Sequence, residues 1–315
     1  MTFVELEGVR GKPLPASARR HAAWWSNTRP HARCWTAAGY RVAHVRLTDE
    51  TFTFVRLGKG VLGNLPAQGS RQPWPAANLL VDLDREFEKS IASCAKRAIF
   101  TGPSVHFYER TVRMVREAAS LRELANSELF CDYVYATLTA WGMHRMGERV
   151  AAKLTAYQQF QAALHPLLKE VDDLRGMSVC DLTEEDTAPV TARLAKLAGT
   201  TGITASDAPL VANTKTLHFL LPDLVPPIDR TYTCRFFFGR MQPPGSAADV
   251  FRRIYPPLAA LAKRHEVAVR KATGTHICLG HAKALDNAIV GFVLNHPERF
   301  GGKSGQNVDG GQDSS

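Results

Sequence analysis

Two side chains fourteen residues apart, Lys215 and Asp229, offer this sequence its clearest chemistry. Asp229 follows Pro226-Pro227-Ile228, where a helix is expected to open. An aspartate at a helix start is held by its own capping bonds to the first turn. A carboxylate fixed that way can stabilise a developing positive charge and orient an attacking water. Lys215 lies in an apolar stretch, Leu210–Leu220, and a lysine becomes an amine nucleophile where burial lowers its pKa. Each residue also has a plainer reading, with Asp229 a cap and nothing more and Lys215 a solvated helix residue.

Two other constellations carry reactive types. Arg270-x5-His276 has the spacing of an acid–base pair for phosphodiester transfer, as in helical HEPN-type ribonucleases, but Lys271 follows the arginine and Gly274 interrupts the helix. His276-x-Cys278-x2-His281 groups ligand-type side chains without a fourth partner, so no metal and no cofactor is expected. The six cysteines, at 34, 94, 131, 180, 234 and 278, form no C-x-x-C pair. They read as reduced buried thiols, and their spacing excludes an iron–sulfur cluster.

The elements that must position these residues are mostly helices. Thr2–Val9 opens a short helix, Leu14–His21 turns into a second, and Arg29–Ala38 reads as a third ended by Gly39. Tyr40–Leu47 and Thr51–Arg56 alternate apolar and polar residues about Thr48-Asp49-Glu50, the pattern of a β-hairpin. Helices are then expected at Arg85–Arg97, Val105–Ala119, Ser127–Trp141, Arg149–Leu164, Pro166–Arg175, Pro189–Leu197, Leu210–Leu220, from Asp229, at Ala247–His265 and at Gly280–Asn295. Asp181 and Thr183 are candidate caps for the helix near 189. The helix reaching Trp141 is apolar on most sides and breaks at Gly142.

The boundaries follow from composition. Residues 1–57 form a small α+β module with winged-helix-like character, 58–82 a Gly/Pro-rich linker, 83–300 a large all-helical domain, and 301–315 a polar, Gly-rich disordered tail. The longest apolar run near the C-terminus, Ala288–Leu294, is too short to cross a bilayer. The opening MTFVELEGVR is not a signal peptide, so a cytoplasmic protein with no membrane partner is expected.

Net charge is +9, from 39 basic and 30 acidic residues, which favours a polyanionic partner. Residues 1–57 hold nine basic side chains against four acids. The same module interleaves aromatics with arginine: Leu14-Pro15, Ser17-Ala18-Arg19-Arg20, His21, Trp24-Trp25, Asn27, Arg33, Trp35, Gly39-Tyr40, Phe52, Phe54 and Arg56. This pattern resembles a small bacterial domain of unknown function. Arg19, Arg20, Arg33, Trp24, Trp25 and Asn27 suit phosphate contacts with stacking, whereas the tryptophans equally suit the core of a very small domain.

The segment Asn213-Thr214-Lys215-Thr216-Leu217-His218 … Pro227-Ile228-Asp229-Arg230-Thr231-Tyr232 resembles the active-site segment of helix-hairpin-helix DNA glycosylases. Where that family carries G-x-G before its Lys-Thr, this chain has Val211-Ala212-Asn213. The resemblance implies a mostly α, glycosylase-like fold and a double-stranded DNA partner. It implies flipping and excision of a modified or damaged base, for repair or for defence against phage with modified DNA. Asp229 would stabilise the sugar cation, and Lys215 would assist or form a Schiff base. Trp141, Met143 and His144 at the helix break would fill the gap left by the base, with His218 and Tyr232 in the pocket; core packing is the plain alternative for Trp141 and Met143. Asn213, Thr214 and Arg230 would touch DNA. The alternatives are a non-enzymatic DNA-binding protein on the same fold and the HEPN-type ribonuclease.

Overall fold

Amphipathic stretches of 3.6-residue period become helices along most of the chain, and the period-2 stretch after Gly39 becomes a hairpin. A computed structural model of the protein describes residues 2–25, 32, 35, 40–56, 77–97, 101–143, 153–205, 209–275 and 277–300. The chain divides into two units, Met1–Gln72 and Pro73–Ser315. The linker as far as residue 76, the tail from 301 and most of the helix expected over 29–38 lie outside the described residues.

In the first unit, α1 (Phe3–Arg10) starts at a capping box made by Thr2 and Glu5 and stops at Gly11, whose φ of 67° is the left-handed value that glycine accepts without strain. After α2 (Ala16–Arg20), β1 (Tyr40–Arg46) pairs antiparallel with β2 (Thr51–Arg56), from Tyr40 opposite Arg56 to Arg46 opposite Thr51, with a register shift between Val42 and His44. Phe3, Trp25 and Phe52 stack with centroids 4.8 Å apart at each step, and Trp35 joins them. A unit this small gains most of its burial from such large side chains. The Trp25 indole N–H donates to Ala18 O at 2.8 Å. Arg19 bridges Glu7 of α1 and Glu50 of the hairpin turn, so its guanidinium is an internal brace.

The second unit is built of helices joined by loops, with isolated bridges Leu154–Thr204 and Thr275–Cys278 among its described residues. Its helices are α3 (Ala77–Arg85), α4 (Phe87–Lys96), α5 (Pro103–Glu117), α6 (Leu121–Leu124), α7 (Glu128–Leu138), α8 (Tyr157–Glu170), α9 (Glu184–Thr200), α10 (Leu210–Leu220), α11 (Arg235–Phe238), α12 (Ala247–Arg264), α13 (Glu266–Ala272) and α14 (His281–Asn295). Several differ from expectation, among them the short α6 and α13, which have no expected counterpart. α3 begins inside the stretch read as linker. α8 runs through Pro166 instead of breaking there, because Phe160, Leu164, Leu167 and Leu168 bury one stripe across it and outweigh the lost N–H. α9 starts five residues before Pro189, at a capping box of Thr183 with Asp186, while Asp181 pairs with Arg270 instead.

α10 and α14 form the centre. Every residue of α10 is buried, and so is α14 from Ala282 to Val293. α14 lies so close to α4 that a Cβ on Gly291 would sit 1.8 Å from Ser90 O. α10 touches α5, α7, α9 and α12. No helix among the described residues is long and apolar enough to cross a membrane.

Candidate active site

The return of the chain from α10 to Asp229 is fixed by side chains of α10 itself. Thr214 Oγ1 donates to Leu210 O at 2.7 Å and accepts from Ile228 N at 3.2 Å. His218 Nδ1 bonds Val225 O at 2.7 Å, and its Nε2 meets the Tyr108 hydroxyl at 2.8 Å. With Nδ1 the donor to a carbonyl, Nε2 accepts and the ring is neutral. Burial pushes its pKa down to about 3. Tyr255 OH completes the pinning at Leu224 O, 3.0 Å away.

This loop brings Asp229 back beside Lys215. Both line a cleft of about 350 Å³, together with Met143, Lys153, Arg230 and Met241. Asp229 is the N-cap of a π-turn, Arg230–Cys234, that leads into α11. Its Oδ1 accepts from Tyr232 N at 2.6 Å. Its other oxygen accepts no hydrogen bond from a described residue. Burial raises the Asp229 pKa above the ordinary carboxylate value, and the neighbouring Asp286 adds to it, against the pull of Lys215 and Lys283. Lys215 is buried at 8% exposure, and its Nζ donates to Trp141 O at 2.8 Å. Burial lowers its pKa to about 8 despite Asp229 and Asp286.

The helix before the cleft ends as a π-turn over Thr139–Met143, with Gly142 at φ 79°. A kink here leaves carbonyls without intrahelical donors. Two lysines meet them, Lys215 at Trp141 O and Lys153 at Gly142 O, 2.8 Å each. Cations suit this end of a helix dipole. The Trp141 ring packs on Tyr108 and Phe219, its N–H donates to Ser104 O at 3.1 Å, and it is buried. Lys215 and Lys283 each place Nζ 5.5 Å from its ring centroid.

Behind Asp229, α14 contributes a buried ion pair that sequence reasoning missed. Lys283 Nζ hydrogen-bonds the Asp286 carboxylate three residues on, and the two are 0% and 5% exposed. Burial alone would lower the Lys283 pKa, but Asp286 reverses this and raises it. The signal was present: Lys283, Asp286 and Asn287 interrupt a helix that is otherwise apolar from Ala282 to Leu294, and charges there need partners.

Several expected contacts are corrected. Asn213 and Thr214 are fully buried and cannot reach a phosphate. Asn213 Nδ2 holds Ala198 O at 2.9 Å, and Thr214 holds the loop. They fall within α10, so no hairpin turn immediately precedes Lys215. His218 and Trp141 are internal struts with no exposed face for a base. Trp25 is 2% exposed and Trp24 half-buried against it, which makes them core. Arg20 is exposed, Tyr232 half-buried beside Asp229, and Arg230 and Met143 line the cleft. His144, Asn27 and Arg33 lie outside the described residues, as does His276. Of the competing motifs, Arg270 is paired with Glu266 and Asp181. His281 bonds Ser178 at 2.8 Å, and among the described residues no three ligand-type side chains are grouped to hold a metal.

A larger cleft, about 540 Å³, is lined by Arg116, Asp172, Arg175 and Asp223. Its charges are spent on backbone. Arg175 donates to the carbonyls of Val115, Arg116, Ala118 and Ala119, at the end of α5, and Asp172 accepts from Leu121 N.

Residues 1–58 match the family model described as Domain of unknown function (DUF7662). No curated protein and no solved structure matches the chain.

Proposed function

We propose that the protein is a DNA N-glycosylase, divergent from the helix-hairpin-helix type in having helix and not hairpin before Lys215, that extrudes a modified or damaged base from double-stranded DNA and hydrolyses its glycosidic bond, leaving an abasic site. The reading is carried by one observation: Lys215 and Asp229 line a single cleft beside the broken helix at Gly142. Breaking the C1′–N bond builds positive charge on the sugar, which the Asp229 carboxylate would stabilise. Its open oxygen would take the proton of a water adding to C1′ as the C1′–N bond breaks, and the departing base nitrogen would take a proton from solvent, so that one water is added across the bond in all. Lys215, with a pKa near 8, holds a fraction of free amine at neutral pH for a Schiff base with the opened sugar. Met143 and His144 would occupy the space the base leaves. Arg230, Lys153 and the exposed arginines of the first unit would meet phosphates, with the 40–56 hairpin as a wing. Repair or defence against phage with modified bases, in the cytoplasm, is the setting this chemistry fits.

A non-enzymatic DNA-binding protein is favoured by one detail: Lys215 Nζ is engaged by Trp141 O, as a helix-ending cation would be. Duplexes carrying a panel of modified bases, incubated with the protein and treated with alkali, separate the two. Strand breaks at one base support the glycosylase; tight binding with intact strands throughout supports the binding protein.

A further inference from the structure

Two buried ammoniums, Lys215 and Lys283, and two carboxylates, the buried Asp286 and the half-buried Asp229, gather at the base of the smaller cleft. Both ammoniums crowd one indole, at 5.5 Å from the Trp141 centroid. Lys283 has no exposure and must have a counterion. Its hydrogen bond goes to Asp286, its neighbour on α14, and the same helix packs on the Arg230–Cys234 turn that Asp229 caps. Asp229 meanwhile lines the cleft with one oxygen on Tyr232 N and the other open.

We propose that Asp286 is a positioning residue: by taking Lys283 as its dedicated partner, it keeps that ammonium off Asp229 and leaves the Asp229 carboxylate available to a ligand in the cleft. Its consequence for catalysis rests on Asp229 being the working carboxylate of the proposed glycosylase, but the charge arrangement stands on its own. The groups facing Asp229 are Lys215 from α10, Lys283 and Asp286 from α14, and Arg230, Tyr232 and Cys234 from its own turn; Lys153 and the Cys94 thiol of α4 act one neighbour further out. Without Asp286, the cluster would hold two cations and one anion, and Lys283 would turn to Asp229. Removing Lys283 and Asp286 together keeps the balance, since the pair is neutral.

The test follows the Asp229 carboxyl carbon by NMR in ¹³C-aspartate-labelled full-length protein, assigned through Asp229→Asn. In the wild type, Asp229 titrates above the ordinary carboxylate range. In Asp286→Asn its midpoint falls by about one pH unit or more, a tenfold change in proton affinity. In Lys283→Met/Asp286→Leu it returns to within about half a unit of wild type. Should Asp286→Asn fail to fold, Lys283→Met serves alone: loss of that cation raises the Asp229 midpoint. An unchanged midpoint in the single variants, or a double variant that moves like Asp286→Asn, overturns the proposal. Base excision is measured in parallel: Asp286→Asn slows it, the double variant recovers it, and DNA affinity is unchanged in both. Titrations that move as expected with no excision by any variant leave the counterion role standing and reject the glycosylase.

Discussion

The two clefts of the helical unit differ in what their charges are doing. In the larger, Arg175 is consumed by four carbonyls at the end of α5 and Asp172 by an amide and by Arg122, while Asp223 takes the first amide of α14 on the oxygen that also lies 3.9 Å from the Arg116 guanidinium. In the smaller, Asp229 keeps one oxygen open, and burial has moved the pKa of both Asp229 and Lys215 toward neutrality. The smaller cleft, and not the larger, is the one where burial shifts both a carboxylate and an amine. Charges that only close helix ends are structural whatever space surrounds them, whereas perturbed carboxylates and amines sharing one cleft mark a candidate site.

Four changes would break or sharpen that contrast. Asp229→Asn keeps the cap at Tyr232 N and removes the charge, so excision is expected to fall about 10³-fold with DNA binding retained. Next in size is a pH effect. The Lys215 pKa of about 8 lies below its ordinary 10.5. Between those values the unfolded chain holds a proton that the native state has shed, so Lys215 makes stability rise with pH across that window. The rise is on the order of 3 kcal/mol. Urea unfolding from pH 7.5 upward should show Lys215→Met losing it relative to wild type. Arg175→Ala in the larger cleft should cost about 2 kcal/mol in unfolding experiments, through its orphaned carbonyls, and leave the excision rate of the folded protein unchanged. Lys153→Ala loses the solvent-screened bond to Gly142 O and should cost under about 1 kcal/mol by the same measurement.

How much of this could be read beforehand depended on whether local pattern or distant packing decides the matter. α10 runs from Leu210 to Leu220 as its apolar stretch requires, Asp229 caps the turn after Pro226-Pro227, and the hairpin follows its alternation. Those features are local. Pro166 and Pro189 mark breaks by local rule, yet tertiary burial carries α8 and α9 through them. Asn213 and Thr214 look like surface polar residues until α10 is seen to be enclosed on every side. The spacing of Lys283 and Asp286 was visible, but their approach to Asp229 is made by folding, from a helix more than fifty residues away in sequence.

If the Asp229 carboxylate supports cleavage of a glycosidic bond, free base must appear. Mass spectrometry of duplexes bearing modified bases, after single-turnover incubation with the full-length protein, measures it most directly. The account predicts free base and an abasic strand from at least one duplex, with neither product from Asp229→Asn. Intact bases in every duplex at saturating protein, or equal release by Asp229→Asn, would contradict it.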